Sequence, residues 1–279
     1  MPSHTFYGST TTANTDRRPS TTIWGDMDVE GIRSGSRGGY YDEDDFNNQG
    51  PITAVTTDAH LIGMNYMGFN SSGGTHTMVD GIAGGLVVTE ATDNEASYVR
   101  RASWPFRVSS ELGKLAFEAR VKVNAITDNQ IGFIMGLWSN VACSVIVPLS
   151  TANPPVMATT GDFIGFWGPE EDAGGVDAIY KAGGVTEVVT NAACHQFVAD
   201  TYVKLGFKFL PAKYHSTGVA KIGWYVNGVL QATEKTVPEN TGTDFPADVP
   251  LNFMFGHRLG ASTSSLTTCD WWRCYQWDA

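Results

Sequence analysis

The residues of this chain best suited to chemistry are carboxylates, and they fall in two runs. The first, Asp42-Glu43-Asp44-Asp45, follows the aromatic pair Tyr40-Tyr41. Clustered carboxylate oxygens suit calcium, but a calcium loop alternates its acidic residues and turns on a glycine. This run lacks that spacing and reads as a solvated acidic turn. The second run, Glu170-Glu171-Asp172, is consecutive and lies between Pro169 and Gly174. Successive strand residues point to opposite faces, so these three cannot work together on one face. Asp162 stands alone at the head of the apolar segment DFIGFW, and His195, His215 and His257 are isolated from one another. No cofactor and no metal centre are expected from this set.

The cysteines are Cys143, Cys194, Cys269 and Cys274, with no Cys-x-x-Cys pair to hold structural zinc. Cys269 and Cys274 are five apart in one strand, which predicts opposite faces and no bridge between them. All four read as reduced, buried thiols. Neither G-x-S-x-G, H-E-x-x-H nor a phosphate loop occurs. The aromatic residues Trp104, Trp138, Trp167, Trp224, Trp271, Trp272 and Tyr275 suit either a sugar-stacking platform or the filling of a sandwich. Trp271 and Trp272 are adjacent, so one of them is expected to face outward.

The elements that must position these residues are strands. In VAKIGWYVNGVLQATEKTV, Ile222, Trp224 and Val226 alternate with Lys221, Gly223 and Tyr225 up to Asn227-Gly228, and alternation resumes afterwards. That pattern is a hairpin signal, because a type I′ turn needs positive φ at both central residues. So apolar a hairpin must pack on another sheet. In KLAFEARVKVNA, Leu115, Phe117, Ala119, Val121 and Val123 alternate with polar residues, which predicts a half-buried strand. Glu118 and Arg120 share its polar face and read as a solvated ion pair. Further strands are expected at 61–67, 78–82, 86–88, 96–107, 130–139, 141–147, 162–167, 176–181, 186–189, 202–210, 251–259 and 268–277. A loop is expected at 152–160 around Pro154-Pro155. No segment reads as a helix.

Eighteen basic against 29 acidic residues leave a formal charge of −11, which argues against a nucleic-acid partner. No run of 18 apolar residues is present, so no membrane-spanning helix is expected. The first residues lack the apolar core of a secretory signal, which points to synthesis in a host cytoplasm. Residues 1–37 are polar and aperiodic and read as an extended N-terminal arm, with Trp24, Met27, Val29 and Ile32 as anchors and Arg17, Arg18, Arg33 and Arg37 as local positive charge. Residues 38–279 read as a single sandwich domain.

The order KLAFEARVKV, IGFIMGLW, DFIGFW, YVKLGFKF, WYVNGVLQAT, LNFMFGHR and CDWWRCYQ resembles the concanavalin A-like (laminin G-like) jelly roll over roughly residues 40–279. The resemblance implies an all-β sandwich of two antiparallel sheets preceded by the arm. The segment DWWRCYQ is similar to the last strand of laminarinase-type glycoside hydrolases. Those enzymes carry a nucleophile and an acid/base on one strand as E-x-D-x-E or E-x-D-x-x-E, facing one side. That arrangement is absent here. The segment GGYYDEDDF ahead of such a sandwich also resembles virion proteins of tailed bacteriophages, such as capsid decoration or cement proteins.

The resemblance implies a non-enzymatic structural protein of the virion, a homo-oligomer that binds the major capsid protein or other virion proteins. The alternatives are a carbohydrate-binding, lectin-like module on a virion or tail, contacting surface glycans, and a glycoside hydrolase or lyase. Contacts with partner or glycan are expected at Trp24, Trp271, Trp272, Tyr275, Arg17 and Arg18.

Overall fold

The structure, a computed structural model, describes residues 17–46, 60–62, 65–70, 74–79, 85–103, 105–127, 130–139, 161–169, 174–238, 244–262 and 264–277. Trp104, Cys143, Pro154-Pro155 and Glu170-Glu171-Asp172 lie outside these residues. The first short helices are α1 (Thr21–Trp24) and α2 (Val29–Arg33). The strands begin with β1 (Gly39–Asp44), β2 (His60–Ile62), β3 (Tyr66–Asn70), β4 (Thr75–Val79), β5 (Gly85–Glu90) and β6 (Ala96–Arg101). Then come β7 (Leu115–Val123), β8 (Ile131–Ser139), β9 (Phe163–Gly168), β10 (Gly175–Lys181), β11 (Val188–Gln196) and β12 (Val203–Leu210). The last are β13 (Lys221–Val226), β14 (Val229–Leu230), β15 (Lys235–Thr236), β16 (Leu251–Leu259) and β17 (Ser265–Trp277).

They form two antiparallel sheets. The nine-stranded sheet runs β14-β13-β12-β7-β17-β5-β4, with β1 also on β17 and β15 also on β13. The eight-stranded sheet runs β11-β10-β9-β8-β16-β6-β3-β2. This is the jelly-roll sandwich that strand order and the hairpin imply. Asn227 (φ 49°) and Gly228 (φ 77°) take the positive φ that the tight turn demands.

Alternation delivers one apolar row per strand to the space between the sheets. Phe117 stacks between Phe207 at 5.3 Å and Phe253 at 6.3 Å, and Phe253 lies flat on Trp272 at 4.6 Å. Trp224 meets Phe166 edge-on from the opposite sheet.

Three expectations are corrected. Asp42–Asp44 are not a turn but the second half of β1, paired with Cys274, Arg273 and Trp272 of β17. Cys269 and Cys274 do not face opposite ways: both lie in the inter-sheet core. The reason is a bulge between Cys269 and Trp271, where one extra residue resets the alternation of β17. Cys194, Cys269 and Cys274 are free thiols. Finally, Glu118 and Arg120 are not solvated, being 0% and 2% exposed. Residues 17–33 lie across that face of the sheet, and Ile23, Met27 and Trp24 form a small apolar cluster there with Ala116, Tyr225 and Tyr275.

Candidate functional site

The outer face of the eight-stranded sheet collects aromatic side chains. Inward rows at Phe133, Met135 and Leu137 of β8, Ile164 and Phe166 of β9, and Phe253 and Phe255 of β16 belong to the main core. The intervening residues therefore point the other way. In the first outward row Phe69 pairs with Tyr98, Tyr98 with Gly256, Gly256 with Ile134, Ile134 with Trp167, and Trp167 with Asp177. In the next, Arg100 pairs with Met254, Met254 with Gly136, Gly136 with Gly165, and Gly165 with Ile179. The third row sets Asn252 beside Trp138, Trp138 beside Phe163, and Phe163 beside Lys181.

Glycine is required along the middle of this face. A Cβ on Gly165 would stand 2.3 Å from the Met135 carbonyl oxygen, and one on Gly136 2.3 Å from that of Ile164. The same atom on Gly256 would meet the Ser97 carbonyl oxygen at 2.3 Å. The room these glycines leave is taken by aromatic rings: Phe163 would stand 2.8 Å from a Cβ on Gly165 and Tyr98 2.5 Å from one on Gly256, with Ile134 and Met254 filling the same face.

The aromatics shield one another in a second apolar cluster, and Trp167 is the most exposed of the four at 7%. Its indole Nε1–H is buried without a hydrogen-bond partner, as is Oδ1 of Asn252, whose amide donates to the Arg101 carbonyl. Asp177 accepts from the backbone of Ala193, and Asp162 from that of Gly183. Strand β9 thus presents Phe163, Gly165 and Trp167 on this face, and no carboxylate.

The structure places the expected contact residues on the nine-stranded sheet instead. Trp271 and Trp272 have no exposed surface, and Tyr275 is 3% exposed. Trp272 lies in the inter-sheet core and donates from Nε1 to the Tyr66 hydroxyl at 2.8 Å. Trp24 donates from its indole to Glu118 at 2.6 Å. Arg17 forms two bonds to Asp270, at 3.0 and 2.6 Å, and Arg120 bonds the same carboxylate at 2.5 Å. Arg18 lines a shallow pocket of about 400 Å³ with Ser20, Thr22, Lys204, Asn227 and Gly228. The structure brings Trp24, Arg17 and Arg18 together on one segment, and sets Trp272 apart from them across the sheet.

The acidic run is taken up by donors. Asp42 receives both arms of Arg101, at 2.8 and 3.0 Å. Asp44 accepts from the Phe46 backbone and the Tyr66 hydroxyl, and Glu43 pairs with Arg273 and Arg33. Burial pushes the carboxyls of Asp42 and Asp44 above the usual range, with Arg101 opposing it in both.

Sequence reasoning missed a buried serine–histidine contact, because Asn70 and Ser97 pair on neighbouring strands β3 and β6 of one sheet while His76 reaches them from β4 of the other. Asn70 donates its amide to the Gly74 carbonyl, so its oxygen accepts from the Ser97 hydroxyl. His76 Nε2, 3.0 Å from Ser97 Oγ, must then donate to that oxygen. A base has to take the nucleophile's proton, so this pair has the wrong polarity to activate serine. It is a core polar cluster.

A scan against protein-family models finds no match, and a sequence search of curated proteins finds none either. Solved structures do match. The endo-1,3-beta-glucanase of Streptomyces sioyaensis is similar at TM-score 0.51 and 10% identity, over 86% of this chain and 97% of that one. The laminarinase of Flavobacterium sp. UMI-01 is similar at TM-score 0.51 and 13% identity, over 84% and 99%. A Bacillus licheniformis beta-glucanase matches at TM-score 0.46 and 16% identity, over 87% and 98%.

The expectation of a non-enzymatic chain is corrected by these neighbours. It rested on the missing carboxylate motif and on the likeness to virion proteins, whereas structures with this fold and TM-scores above 0.5 are named as an endo-1,3-beta-glucanase and a laminarinase. Capsid decoration, a virion location and a homo-oligomeric state belong to the resemblance in sequence, and the comparison of structures does not reach them. What the comparison establishes is the fold: this chain is a two-sheet jelly roll of the kind found in glucanases.

Proposed function

We propose that this protein is carbohydrate-active and takes a glycan on the outer face of its eight-stranded sheet. The observation that carries this reading is the concentration of aromatic rings on that face, Tyr98, Phe163, Trp138 and Trp167, seated over the small residues Gly256, Gly165 and Gly136. Pyranose chairs present apolar C–H faces and polar rims, so the faces stack on aromatic rings while the hydroxyls seek polar groups. The Trp167 indole N–H and Asn252 Oδ1 are buried on the same face without partners, one donor and one acceptor that sugar hydroxyls would satisfy once the covering side chains turn aside. The names of the structural neighbours make β-1,3-linked glucan the first ligand to try.

The test is calorimetric titration of β-1,3-gluco-oligosaccharides into the wild-type protein and the Trp167→Phe variant. A parallel assay follows new reducing ends and unsaturated products, which detects hydrolytic or eliminative turnover. Saturable binding weakened about tenfold or more in the variant is expected, given what a buried tryptophan contact is worth. Binding that the substitution leaves unchanged, or no binding across a panel of neutral and acidic glycans, sinks the reading.

A further inference from the structure

The face of the nine-stranded sheet that lies under residues 17–33 carries more charge than a buried layer normally does. Its outward residues include Glu118 and Arg120 of β7, Lys204 and Lys208 of β12, and Arg273 of β17, set around a small apolar patch of Ala116, Tyr225 and Tyr275. A layer buried for good is normally apolar, whereas alternation of this kind marks the wet side of an antiparallel sheet. Residues 17–33 nevertheless dock there with specific contacts. Ser20 offers both its backbone N–H and its hydroxyl to Glu118, and Trp24 adds its indole N–H at 2.6 Å. Arg17 grips Asp270, and Asp26 lies between Lys208 at 2.6 Å and Lys114 at 3.1 Å. Ile23 fits over Gly206, where a Cβ would come within 2.7 Å of its Cδ1.

An aromatic anchor, an aliphatic residue in a fitted hollow and a rim of ion pairs are the anatomy of a protein–peptide interface. The segment joins the sandwich through Ser34-Gly35-Ser36-Arg37-Gly38-Gly39, where Gly35 (φ 73°) and Gly39 (φ 141°) hold backbone angles that few other residues adopt. Gly39 is already held in β1 opposite Trp277, so a pivot between Gly35 and Gly38 redirects the segment without unpairing the sheet.

We propose that residues 17–33 are an exchangeable strap, and that the partner this face fits is the same segment of a second copy of the chain. The face demands an arginine, a serine, an isoleucine, a tryptophan and an aspartate at the spacing of residues 17, 20, 23, 24 and 26. A second copy carries that pattern, and reciprocal exchange keeps every contact while closing a two-fold dimer. Release bares Glu118, Arg120, Lys204 and Lys208 together with the small patch of Ala116, Tyr225 and Tyr275, so the opened chain stays soluble while the patch draws it to re-dock on its own segment or a second copy's. The proposal is independent of the glycan reading.

Wild-type protein suffices to test it. Protein labelled with ¹⁵N is mixed with an equal amount of unlabelled protein, incubated at high concentration, and diluted before treatment with a carbodiimide. The reagent couples the Asp26 carboxyl to the amine of Lys208 or Lys114 as an isopeptide, and mass spectrometry reads the isotopes of the joined peptides. Exchange predicts mixed-label pairs that grow with incubation and concentration toward about half of the total, as random two-fold pairing requires. Pairs of like label alone, at every time and concentration, would falsify the proposal. Failure to recover any Asp26–lysine pair overturns it as well, since the docking contact itself would be missing. Either result leaves glycan binding to stand or fall on its own titration.

Discussion

Acidifying the protein from pH 7 to pH 4 should cost the sandwich about 3 kcal/mol through one side chain, His257. The residue sits on β16 and has no exposed surface. Nδ1 lies 3.0 Å from the Thr267 hydroxyl, and Nε2 has no partner. Burial alone pushes its pKa down from the ordinary 6.5 to about 3. The unfolded chain therefore takes up a proton below pH 6.5, while the folded chain resists until about pH 3. In that window the unfolded state binds more protons, so stability falls as pH falls. At about 1.4 kcal/mol per unit, the fall from 6.5 to 4 amounts to about 3 kcal/mol. The buried carboxyls of Glu118, Asp270, Asp42 and Asp44 act in the other direction. Burial raises each of them, so their contribution is present below the ordinary carboxylate range and is lost as pH rises through the folded values. The histidine is isolated by comparing wild type with His257→Asn in urea unfolding at pH 7, 5.5 and 4. Asparagine retains a polar atom toward Thr267 but leaves a small cavity, so the variant should be weaker at pH 7 by roughly 1–2 kcal/mol. That gap should close and then reverse near pH 4. Profiles that stay parallel across the range would refute the reasoning, because the proton uptake would then belong elsewhere.

Other outcomes are equally specific. Glu118→Ala removes the acceptor of three donors, the Ser20 N–H and hydroxyl and the Trp24 indole, and leaves them unpaired, costing about 1–3 kcal/mol; hydrogen exchange should show residues 17–33 loosened while β7 and β12 stay protected. Gly165→Ala forces backbone movement between β8 and β9, and should lower the melting temperature by roughly 3–10 °C if overpacking costs about 1–3 kcal/mol. It should weaken glycan binding too, and a silent substitution would show that the position tolerates a side chain. Cys269 and Cys274 are fully buried with thiols pushed far up by that burial, so an aromatic disulfide reagent should react with them only after denaturant is added.

The sandwich was legible because the alternation of β7 and the Asn227-Gly228 turn are local signals that tertiary packing reinforces. Three features were not. Nothing in TTCDWWRCYQ marks Asp270 as the extra residue of a bulge, so parity counted along the sequence sends Cys269 and Cys274 to opposite faces. The polar row of β7 reads as open to water because alternation reports composition, and composition cannot reveal that Ser20, Ile23 and Trp24 return to cover Glu118. The run Asp42–Asp45 reads as a turn because carboxylates are rare in strands. Here Arg101 and Arg273, distant in sequence, and Arg33, ten residues before Glu43, make the pairing of β1 with β17 favourable. The aromatic face was partly visible, since Trp138 and Trp167 were named as stacking candidates. Its row of glycines needed the register of three strands, which no single segment contains.

Strand β17 lies in the interior of its sheet, between β7 on one side and β5 and β1 on the other. During synthesis, then, the nine-stranded sheet lacks a central stave until residues 265–277 have emerged. The strands on either side of the gap are separated early and joined late, a topology rich in distant contacts and slow to fold. Until that moment β7 shows an unpaired edge to any other nascent chain, and this is where assembly is most open to error. Shortening the chain past residue 265 would leave the sheet as two unconnected halves.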